Sequence, residues 1–191
     1  MYARQVPGLE GQPPAGSQVR RKAAVPNRVH AMDLRGLYES LRGYLGPKDH
    51  WWPVDTRLEI LIGSILVQNT NWRNVERSLD RIRAAGVDDI THFAVMPAQN
   101  LMELIRPSGF QVAKAATIAA VAQWALTAAH GDAADGSGPR IDPSLVDGVE
   151  TRRLRSDLRS LRGVGPATAA VMMTYVFDRP PVVADKYARR L

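Results

Sequence analysis

The chain has 191 residues, 45% of them hydrophobic, and a formal net charge of +6, which bounds it to one compact domain or two small lobes with a real core to bury. It holds no cysteine, and that excludes disulfides, a cysteine-ligated zinc and an iron–sulfur cluster within this chain. No apolar run reaches the length of about 18 residues that a spanning helix needs, and the N-terminus lacks the apolar centre of a signal peptide, so a cytoplasmic protein with no membrane partner is expected.

The charge is unevenly placed. Residues 1–30 carry five basic side chains and one acidic, and residues 151–191 carry nine and three, which leaves a net −4 for residues 31–150. Two basic ends around an acidic middle suit a polyanion such as DNA; a solvated arginine-rich helix face with no partner is the alternative.

In chain order, residues 1–31 read as a disordered basic tail rich in proline and glycine, with Arg20, Arg21 and Lys22 clustered. From Asp33 the pattern turns helical. Leu34, Leu37, Tyr38, Leu41 and Leu45 share one face, with Asp33 as N-cap and Gly46–Pro47 as a stop. The loop "DHWWPVD" follows. "TRLEILIGSILVQNTNWRNVERSLDRIRAAG" reads as two helices, the first about Arg57 to Val67 and apolar nearly all round. "QNTN" breaks them, Thr70 or Asn71 caps the second, and Gly86 ends it. A short helix over Pro97–Ile105 leads through Pro-Ser-Gly into the amphipathic "QVAKAATIAAVAQWALTAAHG", which ends at Gly131. A polar loop separates these from a helix pair, "TRRLRSDLRSLRGVG" and "PATAAVMMTYVF". A last helix begins after Pro180–Pro181. No convincing strand pattern occurs, and the expected class is all-α.

The turn of that final pair is the most informative stretch. Leu154, Leu158 and Leu161 face Ala169, Val171, Met172 and Val176, with Gly163 and Gly165 between them. Glycine permits positive φ and close approach of another surface. Pro166 at the first helical position gives up only an amide that the helix would orphan. The remaining amides sit at the positive end of a helix dipole, which makes an anion site, and Arg155, Arg159 and Arg162 surround it. Gly163, Val164, Gly165 and Thr168 are therefore candidates to grip phosphate, a contact that positions without reading bases. An ordinary helix corner whose glycines only turn the chain is the alternative.

Four segments in order resemble the helix-hairpin-helix DNA glycosylases of the endonuclease III superfamily: "EILIGSILVQNTNWRNVERSL", "SGFQVAKAATI", "LRGVGPATA" and "VVADKYARRL". The resemblance spans roughly residues 55–191. It implies two helical lobes, a DNA-binding cleft between them, double-stranded DNA with a damaged base as partner, and base excision after flipping the base. It implies nucleoid association and a monomer. Asp185 becomes the candidate catalytic carboxylate, with Arg190 five residues on as a DNA contact. Glycosidic cleavage builds positive charge on the sugar, and a nearby carboxylate stabilises that charge and activates water; a purely structural N-cap is the alternative. The lyase branch places a lysine two residues after the second glycine, where this chain has Ala167, so a monofunctional enzyme is expected. "Asp-Lys-Tyr" after "VV" resembles the branch acting on alkylated bases such as 3-methyladenine.

By the same resemblance Gln68 fills the gap left by the flipped base, against a turn residue as the alternative. Lys114 touches phosphate, against a solvated helix face. Trp51, Trp52 and Trp72 are candidates to stack on an electron-poor base, against core packing. His30, His50, His92 and His130 show no ligand spacing, so no metal site or cofactor is expected beyond a monovalent ion at the carbonyls of Arg162 and Val164. The chain stops six residues after Asp185, and the lobe carrying that aspartate is expected to be incomplete at the C-terminus. Two rival readings remain: an endonuclease III-like glycosylase/AP lyase for oxidised pyrimidines or mismatches, and a DNA-binding hairpin module without catalysis.

Overall fold

The computed structural model describes residues 33–46, 52–128 and 139–181, and every element in them is helical. The chain divides into two compact units, Met1–Asp49 and His50–Leu191. In the first, the described part is helix α1 (Leu34–Leu45), opened by the Asp33 carboxylate accepting the Gly36 amide at 3.0 Å. The expected tail, residues 1–31, lies outside the described residues.

The second unit holds α2 (Arg57–Leu66), α3 (Trp72–Ala84), α4 (Ile90–Val95), α5 (Ala98–Ile105), α6 (Gln111–Ala128), α7 (Thr151–Ser160) and α8 (Pro166–Tyr175). Short 3-10 turns at Arg106–Ser108 and Pro143–Val146 link α5 to α6 and precede α7. The described part of this unit clusters as one body.

Helix α2 sits at its centre, because beyond its first turn its sequence is apolar apart from Ser64. Leu61, Ile62, Ile65 and Leu66 are all buried, and α2 packs against α3, α6 and α8. A capping box starts it: Thr56 Oγ1 accepts the Glu59 amide at 3.1 Å while Glu59 Oε2 accepts the Thr56 amide. Gly63 in mid-helix lets the Trp72 ring close in, since a Cβ there would stand 3.4 Å from its rim. Asn71, of the two candidates, caps α3 by accepting the Asn74 amide at 3.1 Å.

Arg57 joins the start of α2 to the end of α8. Its guanidinium donates to the Val176 carbonyl at 2.6 Å and, in a two-pronged pair, to the Asp178 carboxylate at 3.0 and 2.9 Å. The last carbonyls of α8 have no helical donor, so a cation there satisfies them and meets the negative end of the helix dipole. Asp178 itself has φ 51°, a left-handed conformation that Asp tolerates better than most residues.

Candidate functional site

Helices α7 and α8 form the expected hairpin. Leu154 and Leu158 are buried against Ala169, Met172 and Val176, while Arg152, Arg155, Arg159 and Arg162 remain exposed. Those four have no ion-pair partner among the described residues, whereas Arg153 is held by Asp157 at 2.8 Å.

The turn shows why glycine stands at 163. Its φ is 84°, and a Cβ there would collide with Thr117 Oγ1 on α6. Gly165 has an extended backbone, so its smallness rather than its φ matters; nothing stands within 4 Å of a Cβ there, which leaves its outer side open. The amides of Gly165, Ala167 and Thr168 have no partner among the described residues. They lie at a helix N-terminus, where the dipole and free N–H groups favour an anion.

Val164 departs from expectation. Its side chain is buried and its amide donates to the Leu161 carbonyl at 3.1 Å, so it shapes the turn and offers no phosphate donor. The carbonyls of Arg162 and Val164 accept no hydrogen bond among the described residues.

Gln68, in the α2–α3 break, lies against the hairpin. Its Nε2 donates to Thr168 Oγ1 at 3.1 Å and to the Gly163 carbonyl at 3.3 Å. The sequence places these residues about a hundred positions apart, so their meeting is a property of the fold. The exposed neighbour Asn69 has φ 56°, a left-handed conformation that Asn, like Asp, tolerates better than most residues.

Lys114 contradicts the phosphate reading. It is 4% exposed, and its Nζ donates to the Leu66 carbonyl at 2.8 Å and the Ser108 carbonyl at 2.7 Å. The ammonium is spent on the C-terminus of α2 and on the turn before α6. Loss of water around it holds its pKa below the ordinary lysine value.

Trp52 and Trp72 meet edge to face with ring centres 5.5 Å apart, and Trp52 meets Tyr175 at 6.0 Å. Both indole N–H groups are buried without a partner among the described residues. Tyr175 belongs to this cluster although sequence reasoning passed over it; its place at the end of α8, after the apolar run, was the available signal. Trp51, Asp185 and Arg190 lie outside the described residues. No cluster of His, Asp and Glu among the described residues could hold a metal ion.

Comparison with known proteins shows the family to which the chain belongs. A family model for HhH-GPD superfamily base excision DNA repair proteins matches residues 62–190, which enclose the break, the hairpin and Asp185. A Methanocaldococcus jannaschii protein provisionally named as a DNA repair glycosylase is 33% identical over 155 residues, 81% of this chain and 66% of that protein. The fold is similar to that of an H. pylori 3-methyladenine DNA glycosylase bound to 1,N6-ethenoadenine, with a TM-score of 0.64, 24% identity, and coverage of 80% of this chain and 68% of that one. It is also similar to endonuclease III in a non-covalent DNA complex, with a TM-score of 0.60, 18% identity, and coverage of 82% and 64%. The chain thus spans about two thirds of the length of the proteins it matches. With a match over more than half its length, a hairpin built as described and an all-helical fold, the chain belongs to the HhH-GPD superfamily of base excision DNA repair proteins.

Proposed function

We propose that the protein is a monofunctional DNA glycosylase that excises an alkylated base from duplex DNA. The observation that carries the reading is the α7–α8 turn, where the amides of Gly165, Ala167 and Thr168 have no partner among the described residues and exposed Arg162 immediately precedes the glycines. Such a turn grips a phosphate and leaves the neighbouring nucleotide free to rotate out of the stack. A monovalent cation on the Arg162 and Val164 carbonyls would add positive field at the same phosphate.

Asp185 supplies the chemistry. The C1′–N bond breaks with its electron pair going to the base, and positive charge develops on the sugar. The carboxylate stabilises that charge, a water oxygen adds to C1′, and its proton passes to Asp185. A purine alkylated at N3 or N7 carries positive charge before cleavage and leaves neutral, so no general acid is required. Trp52, Trp72 and Tyr175 form the aromatic cluster that would stack on such a cation.

Ala167 separates this reading from a glycosylase/lyase, because no amine stands where the lyase branch forms its Schiff base. The test is a panel of duplexes carrying 3-methyladenine, uracil, an oxidised pyrimidine or an adenine mismatch, scored for base release and, separately, for strand nicking. Release of the methylated purine without nicking is expected, and borohydride should trap no covalent complex. Nicking with trapped adduct would establish the lyase alternative; binding without release of any base would establish the non-catalytic module.

A further inference from the structure

Lys114 and Thr117 lie one turn apart on α6, so they share a face, and each holds a different DNA-facing loop. Lys114 is buried with carbonyls, not carboxylates, as partners. Burying an ammonium is expensive unless something fixed is gained. One partner, Leu66 O, ends α2 two residues before Gln68. The other, Ser108 O, belongs to a turn whose own hydroxyl bonds Ser78 Oγ at 2.8 Å and the Asn74 carbonyl at 3.3 Å. Asn74 Nδ2 in turn donates to Thr70 Oγ1 at 3.0 Å. The α2–α3 break is therefore fastened on both sides of Gln68 and Asn69, and both fastenings lead to Lys114.

Thr117 holds the second loop. It is 4% exposed, its Oγ1 donates to the Ala113 carbonyl at 3.0 Å, and it occupies the space beneath Gly163 that a Cβ would need. Gln68 then bonds the Gly163 carbonyl and Thr168, closing a ring from α6 through the break to the hairpin and back to α6.

We infer that Lys114 and Thr117 are positioning residues: together they set the spacing between the hairpin that grips phosphate and the Gln68–Asn69 break that faces the same DNA. This rests on the glycosylase reading for what the two loops do, but not for whether α6 fixes them. Neither residue touches DNA; each acts through the loop it seats. A rigid separation matters because a displacement of about 1 Å in a positioned group costs up to about a hundredfold in rate.

Absence of cysteine allows a direct test on the whole chain. Spin labels on Arg73→Cys and Arg162→Cys, both exposed, report the distance between the start of α3 and the hairpin without any DNA. The parent should give one narrow distance distribution, broadened or shifted by Lys114→Met and by Thr117→Ala and unchanged by Thr117→Ser. Thr117→Ala leaves no buried carbonyl unpaired, so it keeps the test valid if Lys114→Met fails to fold. In a second arm, Lys114→Met should lower the preference for a duplex with an abasic-site analogue over an intact duplex by about tenfold, with intact-duplex affinity changed less than about twofold. Unchanged distance distributions, a parent distribution that is already broad, or parallel loss of both affinities would overturn the inference. A parent that binds no duplex at all would instead sink the glycosylase reading, and the distance measurement would still decide this one.

Discussion

The arginines of α7 and the lysine of α6 put positive charge to opposite uses. Arg155, Arg159 and Arg162 stand exposed beside open backbone amides. Lys114 is sealed from water and donates to two carbonyls inside the protein. Arg57 is intermediate, half-buried yet spent on the carbonyl end of α8 and on Asp178. Net charge therefore overstates what is available to a polyanion, since Lys114 and Arg57 are spent inside the protein while the hairpin arginines stay exposed.

That contrast can be broken most strongly at Gly163. Substitution by alanine forces a side chain into a left-handed backbone and against Thr117, at a combined cost of about 2–4 kcal/mol. Thermal unfolding should show the loss, and fluorescence anisotropy should show duplex affinity reduced by about tenfold or more, since about 1.4 kcal/mol of lost contact suffices for that. Next come the arginines. Replacing Arg155, Arg159 or Arg162 by glutamine should flatten the dependence of log affinity on log salt by about 0.9 for each phosphate contact removed. Lys114→Met should leave that slope unchanged, and an equal fall for both kinds of variant would erase the distinction.

Smaller effects sharpen the same picture. Asp178→Asn keeps a residue type that accepts positive φ but removes the charge facing Arg57. After solvent screening at this partly exposed pair, a loss of about 1 kcal/mol is expected in denaturant unfolding. The smallest effect is a pH dependence. Burial lowers the pKa of Lys114 from 10.5, so between the two values the unfolded chain binds more protons than the folded one. Stability contributed by this site then rises with pH. Relative to Lys114→Met, the wild type should gain stability as pH climbs from neutral towards 10.5.

Much of the fold was legible from periodicity and caps. The helices α1, α2, α3, α5, α7 and α8 fall within one or two residues of their expected bounds, because Asp33, Thr56 and Asn71 cap them and Gly46 and Gly86 end them. Helix α4 was not expected: six residues are too few to show a period. The same holds for the turn at Pro143–Val146. The hairpin was legible because glycine, proline and arginine act locally. The burial of Lys114 was not, since its acceptor Leu66 O is 48 residues away in sequence and nothing near a lysine announces a distant carbonyl. Gln68 was singled out from the break, yet its tie to Thr168 depends on packing of α2 against α8 that no local pattern encodes.

The central claim is that a carboxylate at position 185 breaks a glycosidic bond beside the phosphate held by the hairpin. Single-turnover release of 3-methyladenine from duplex DNA, compared between the wild type and Asp185→Asn at matched DNA occupancy, tests it most directly. Release by the wild type and a fall of about 10²–10⁴-fold in the variant are predicted, the range that loss of a positioned base produces. Equal release by both proteins, or none from either while both bind DNA, would contradict it.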